Sequence, residues 1–473
     1  MIDLLMTHGI VITMNPQREV IEDGAVAIQG DRIVAVGPSE ALSAQYPAHR
    51  VLDAHRKVIM PGLIDSHGHA GHSLVKTMGA GDSSLWYQAC EAIYTTGSTP
   101  SFWYADAQLA AIERLKSGTT CGVSFLGGAD NTLRTDDAEF ADQHCRAVEQ
   151  VGIRAFLAVG PGRPPFPHRF ARWEGETRHE VDVAFEDQLA TCDTLIQRWH
   201  RQGNHRIHIC LTSPTPKADD TNLDESIAQA RSMRELSRRY GVRFTQDGHV
   251  QGSVKMAHEQ FDLLGPDVFL SHCIDLTEEE IHICRDTETK VVHNPSSNFS
   301  IMGRCPVPEL LDAGVTVMLG SDGTAPNRSF DMFRHVFQCM HYHRTYHHDP
   351  RLLPPGKVLE MATIDAAHGL GLGDELGSLE PGKKADVILI DMAKPHLYPL
   401  NMPVFRVAYF ASGGDVDTVI VDGRILMDNR MVRTVNEADA LELAQSETEA
   451  MLDRTQLREL LETPGHIWGQ TRF

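Results

Sequence analysis

The sequence predicts an α/β fold. A (β/α)8 TIM barrel spans residues 61–380, and a small β-sandwich is assembled from residues 1–60 and 381–473, the latter with C-terminal helices. Three features predict it. Eight short apolar runs alternate with amphipathic helical stretches through the middle of the chain. Short β-rich runs stand at both ends. The middle runs also finish repeatedly on His or Asp, the residues that a barrel's C-terminal rim would gather into one site.

At the amino end, "GIVITMN", "GAVAIQGDRIVAVG" and "RVLDAHRKVIMPG" are β-rich pieces punctuated by Gly, Asp and Asn. "GSLEPGKKADVILIDM" and "VDTVIVDGRILMDN" repeat the pattern near the other end, with a hairpin turn at Asp422–Gly423. Pairing of the two pieces brings together the ends of the segment between them. That segment contains "GLIDSH", "TTCGVSFL", "IRAFLAVG", "HRIHICLT", "VRFTQDGH", "VFLSHC", "TKVVHNP" and "VTVMLGSD". Each has strand length, and their continuous apolar character suits parallel strands buried on both faces.

Composition narrows the function. Hydrophobic residues make up 42% and charged residues 23%, enough for a sizeable core. A net charge of −21 disfavours a nucleic-acid backbone or an anionic membrane as partner. Nine cysteines in no pattern read as reduced thiols of a cytoplasmic protein. No leader is seen, and no run approaches the roughly 18 apolar residues of a membrane helix. The expected partner is a small-molecule substrate, and the expected assembly a homo-oligomer.

His67 and His69 stand at i and i+2 at the end of the first run, so their side chains share a face. The fifth run ends on His249, the sixth on His272 and the eighth on Asp322. One strand-end histidine is more often structural than a ligand. Together these groups form the nitrogen and oxygen donor set that zinc and related divalent ions favour.

With these residues in place the chain resembles the amidohydrolase superfamily over nearly its whole length. The matching pieces are "PGLIDSHGH", "SH" at 271–272, "HNPSSN" at 293–298, "LGSDG" at 319–323 and "GSLEPGKKADVILID" at 377–391. It is most similar to the branch with triazine hydrolases and with adenosine-type and cytosine deaminases. The resemblance implies one divalent metal ion per subunit (zinc first; cobalt, manganese or iron otherwise), held by His67, His69, His249 and Asp322. It places His272 at the activated water or the substrate, and Asp322, as ligand and neighbour, is the expected general base. Aligned without a gap, the family's strand-five histidine falls on Asp247. His249 is preferred because it completes a set of three histidines and an aspartate, with Asp247 as the alternative.

The branch also carries a glutamate three residues after that histidine, which protonates a substrate ring. Here Val250, Gln251 and Gly252 follow His249, and none can act as a general acid. That absence favours attack on an exocyclic carbonyl, and so hydrolysis of the C–N bond of a urea, carbamate or amide. An N-aryl or N,N-dialkyl urea is the expected substrate, as in the phenylurea and molinate hydrolases that the chain resembles more loosely. Deamination or dechlorination of an aromatic heterocycle is the alternative, and a non-catalytic barrel scaffold a second one. Gln251, Trp86, Tyr87, Trp103, Asn298 and Met302 are the expected substrate-binding residues. Tyr94, Phe102 and Tyr104 belong to the same aromatic-rich segment as the two tryptophans. The tract "CMHYHRTYHH", with His343 and His347 four apart, reads as structural.

Overall fold

A computed structural model of the chain describes residues 1–79, 81–128, 132–463 and 465–469. Its barrel strands are β1 (Leu63–Asp65), β2 (Thr119–Phe125), β3 (Arg154–Val159), β4 (Ile207–Thr212), β5 (Phe244–Gln246), β6 (Val268–Ser271), β7 (Lys290–His293) and β8 (Val317–Leu319). They pair in chain order, every pair parallel. Each of the eight apolar runs supplies one strand. Between β8 and β1 the ring is tied by Ser66 N–H donating to the Leu319 carbonyl at 2.9 Å. Ser321 and Asp322 N–H add bonds to the His67 carbonyl at 3.0 and 2.9 Å.

That seam carries two of the site's loops, and a buried pair locks it. Asp65 is fully buried and accepts from Arg114 Nε and Nη2 at 3.0 and 2.8 Å. Its carboxylate also accepts from Ser321 N–H and Oγ–H, both at 2.8 Å. A buried carboxylate with four donors is satisfied, whereas breaking such a pair costs about 3–5 kcal/mol.

The terminal strands form one nine-stranded mixed sheet. Ile2–Ile12 pairs antiparallel with Val20–Gln29 and parallel with both Ala48–Asp53 and Lys57–Pro61. Lys57–Pro61 pairs antiparallel with Val387–Asp391, which joins the two ends of the chain. Leu4, Val26, Ile59, Val387 and Ile420 share one apolar cluster across that join. The Asp422–Gly423 turn has φ of +50° and +71°, the left-handed pair that a type I′ hairpin requires. Arg154 at the start of β3 pairs with Asp386 at 2.7 Å and with Asp422, fastening the sheet to the barrel. All nine cysteines are buried and free. Among the described residues no helix is long and apolar enough to cross a membrane.

Candidate metal centre and reaction cavity

Five side chains converge at the C-terminal rim. His67 Nε2 lies 3.1 Å from Asp247 Oδ1 and 3.3 Å from Asp322 Oδ1. His69 Nε2 is 3.2 Å from Asp322 Oδ1 and 3.5 Å from Asp247 Oδ2. His272 Nε2 is 3.1 Å from Asp247 Oδ1 and 3.6 Å from Asp322 Oδ1. Each group is aimed by its local backbone. The His69 Nδ1–H donates to the Gly127 carbonyl at 2.8 Å, leaving the Nε2 lone pair inward. The His272 Nδ1–H donates to Asn298 Oδ1 at 3.0 Å with the same consequence. His272 and Asp322 take left-handed backbone, φ +68° and +62°, as the chain turns out of β6 and β8. Such strain persists where the surroundings over-determine it, often at functional sites. Gly323 follows at φ +77°, and a Cβ there would stand 2.4 Å from His72 Nδ1.

The donor set fits a divalent cation. His67 is fully buried, and its Nε2 makes no well-directed hydrogen bond although two carboxylate oxygens stand near. Donor atoms of His67, Asp247, His272 and Asp322 all lie within 4.8 Å of one another. Burial opposes charge on His67, Asp247, His272 and Asp322, yet their mutual attraction prevails. Against burial, His67 holds Asp247, and His272 with Arg328 holds Asp322, well below the usual carboxylate range. Asp322 and Asp247 in turn push His272 up to about 10 against its burial. Two buried carboxylates set among three imidazoles are an arrangement that a divalent ion can bridge, and such a donor set suits zinc and its neighbours.

At strand five the structure departs from expectation. Asp247 occupies the cluster, and His249 turns away from it. The His249 ring is fully buried, with Nδ1 2.9 Å from Ser253 Oγ and Nε2 3.3 Å from Gln246 Oε1. Burial lowers its pKa to about 3, so it is a neutral packing histidine. β5 ends at Gln246, and Gly248 adopts φ +81°. The alternation that would place 247 and 249 on one face stops where the strand stops. Asp247 is held from behind by the Ser271 hydroxyl at 2.8 Å.

Above the cluster opens a cavity of about 410 Å³ lined by His69, Asp247, His272 and Asp322 and walled by Trp86, Tyr87 and Met302. Of the six side chains expected at the substrate, these three line the cavity, and Trp103, Gln251 and Asn298 do not. Trp103 is fully buried, donates to Ser98 Oγ at 3.1 Å and packs on Tyr94 and Phe102 in the core. Gln251 is exposed in the turn beyond β5 and is absent from the lining. Asn298 is buried behind His272, with Nδ2 3.3 Å from His293 Nδ1, and orients that histidine instead of meeting the cavity. His343 is buried 3.4 Å from His293, whereas His347 lies 3.8 Å from Glu309, so the helical pair does not act together.

Among the lining residues that escaped the sequence reading, His72 and Arg328 carry the most chemistry. His72 stacks on His69 with centroids 4.7 Å apart and is kept neutral by burial. Its turn is fixed by buried Asp106, which accepts from Gly71 and Ser73 N–H at 2.6 and 2.8 Å. Its signal was available, three residues after His69 in "HGHAGHS". Arg328, in the loop after β8, has no pattern that would have marked it.

Comparison with known proteins agrees with this architecture. The chain matches the amidohydrolase family over residues 58–426, and residues 24–48 match a bacterial imidazolonepropionase-like composite domain. A 5-methylthioadenosine/S-adenosylhomocysteine deaminase of Syntrophobacter fumaroxidans is 32% identical over 458 residues, 93% of this chain and 96% of the relative. A 5'-deoxyadenosine deaminase of Methanosarcina acetivorans is 32% identical over 484 residues, 96% of this chain and 99% of the relative. A zinc-bound adenosine deaminase from Xanthomonas campestris superposes with a TM-score of 0.80 at 24% identity, covering 96% of this chain and 99% of its own. The zinc complex of the atrazine chlorohydrolase of Arthrobacter aurescens gives 0.73 at 21%, covering 94% and 100%. The last two likenesses establish fold. The first two relatives are deaminases, which redirects the expectation of a urea or carbamate substrate.

Proposed function

This chain belongs to the amidohydrolase family, and we propose that within it the protein is a metal-dependent deaminase that replaces the amino group of an aromatic heterocycle with an oxo group. The observation that carries the reading is the juxtaposition of three imidazoles and two carboxylates with a cavity whose wall is Trp86 and Tyr87. The near-full-length similarity to adenosine-type deaminases supports an exocyclic ring amine as the C–N bond cut.

His67, His69, Asp247 and Asp322 would hold the ion, zinc by likeness to the solved neighbours, with His272 Nε2 beside them, 3.1 Å from Asp247. When bound, such an ion supplies a Lewis acid that makes water nucleophilic near neutral pH. Asp322 takes the proton of the attacking water and passes it to the departing amine. His272, oriented through Asn298, presents Nε2 to the oxygen of the tetrahedral carbon. Trp86 and Tyr87 stack the ring and exclude water.

One observation favours a second reading. The third residue after Asp247 is Val250, 47% exposed, and among the described residues the cavity's carboxylates are Asp82, Asp247 and Asp322. Asp82 is spent capping the helix Ser83–Glu91, and the other two belong to the donor set. With no further carboxylate among the described lining residues to protonate a ring, a urea or carbamate carbonyl is the easier target. The test is zinc-supplemented protein against S-adenosylhomocysteine, 5'-methylthioadenosine, adenosine, guanine, cytosine, a phenylurea and a thiocarbamate. Ammonia with the matching oxo product is expected from at least one heterocycle. Amine release from the urea or thiocarbamate alone would overturn deamination in favour of the second reading.

A further inference from the structure

We propose that Arg328 is a further catalytic residue: its guanidinium binds the ring nitrogen or oxo oxygen beside the carbon that loses its amine, and it stabilises the charge that collects there. The inference rests on the deaminase reading and narrows its substrate. The heterocycle must carry an unprotonated acceptor next to its C–NH2 group.

Arg328 lies six residues beyond Asp322, lines the cavity and has a side chain only 5% exposed. Its donors are nearly unspent. Nη1 donates to the Ala325 carbonyl at 2.6 Å, while Nε is buried and makes no hydrogen bond. Asp322 Oδ2 is 3.8 Å from Nε, an ion-pair distance beyond hydrogen-bond reach, so Asp322 feels the charge of the side chain but occupies none of its donors. A buried guanidinium with idle donors is costly unless something occupies them. Its backbone is held still. Thr77 N–H donates to the Pro326 carbonyl at 2.7 Å, Glu113 Oε1 accepts from Phe330 N–H at 3.1 Å, and His335 Nε2 lies 2.8 Å from the Ser329 carbonyl.

Charge balance supplies the role. Asp247 and Asp322 neutralise a divalent ion, so negative charge arising on the ring needs another cation. Lys217 also lines the cavity but is exposed, and solvent screens its charge. In the step, the water oxygen bonds to the ring carbon as the C=N π pair moves onto the ring nitrogen, and the water proton goes to Asp322. Arg328 hydrogen-bonds that nitrogen and keeps its own proton, since a guanidinium does not titrate in this range. Asp322 then protonates the amine, the nitrogen lone pair re-forms C=N, and ammonia leaves. The first product is the hydroxy (lactim) tautomer, which relaxes to the oxo form in water. A preorganised donor in such a position is worth about 100- to 1,000-fold in rate.

The test uses R328M and R328K in the full chain, with metal content measured alongside. R328M should keep its metal, lose at least about 100-fold in kcat with a smaller rise in KM, and regain part of the rate on addition of guanidinium chloride. R328K should fall between it and wild type. Activity of R328M within threefold of wild type, or a loss that tracks metal loss without guanidinium rescue, would overturn the proposal. Wild type silent on every aminated heterocycle would instead sink the deaminase reading. Arg328 is then judged by equilibrium binding of hypoxanthine: tenfold weaker binding to R328M sustains the acceptor site, and equal or no binding overturns it.

Discussion

Substitution of Asp247 and of His249 to alanine should have opposite consequences, although the two residues stand two apart. Asp247 places oxygens 3.1 Å from the Nε2 atoms of His67 and His272 and 3.5 Å from that of His69. Removing it takes away one ligand and half of the negative charge that balances the ion. Loss of a group that merely supports a ligand already costs about 10- to 100-fold in metal affinity, so loss of a ligand should cost at least about 100-fold. His249 contributes a buried neutral ring with neighbours in Ser253 and Gln246. Its removal should cost about 1–3 kcal/mol of stability through cavity and hydrogen-bond loss, with metal affinity within threefold of wild type. Competition against a chromophoric chelator reads the affinity, and urea titration reads the stability. If H249A sheds metal while D247A retains it, the ligand assignment at strand five is wrong.

Two other predictions concern orientation and acid stability. N298A leaves the His272 Nδ1–H without its acceptor, so kcat should fall about 10- to 100-fold with metal content unchanged; an unaltered kcat in steady-state assays would remove Asn298 from the mechanism. His144 and His208, away from the site, are pushed down to about 3 by burial. Both titrate near 6.5 when unfolded, so the unfolded state binds more protons between pH 6.5 and 3, and stability falls as pH drops through that window. Each should contribute about 1 kcal/mol of loss between pH 7.5 and 5.5, and the double variant H144Q/H208Q should show a correspondingly flatter pH profile in denaturant titrations.

The barrel was legible because parallel strands buried on both faces are written as unbroken apolar runs, and each run contains one strand. The join of the two termini was legible for a related reason: "KKADVILID" and "RKVIMPG" are β-rich pieces that need partners. His67, His69, His272 and Asp322 followed from their places at those run ends. Asp247 and His249 mark the limit. Side-chain parity holds only within a strand, and the left-handed Gly248 breaks it one residue before the histidine. Trp103 shows a second limit, since an aromatic residue in a helix near the site reads the same whether it faces core or cavity. Arg328 shows a third. A loop residue's direction is set by tertiary hydrogen bonds, here those of Pro326, Ser329 and Phe330, which leave no period in the sequence.

The central claim is that this donor set and cavity remove an amino group from a ring. Its most direct test is mass-resolved product analysis of the zinc-supplemented wild-type protein with 5'-methylthioadenosine or S-adenosylhomocysteine, guanine and cytosine, run in water enriched in oxygen-18. The account predicts one ammonia released per oxo product, with the heavy oxygen on the ring carbon. Intact heterocycles throughout, together with amine release from the urea or thiocarbamate, would contradict it.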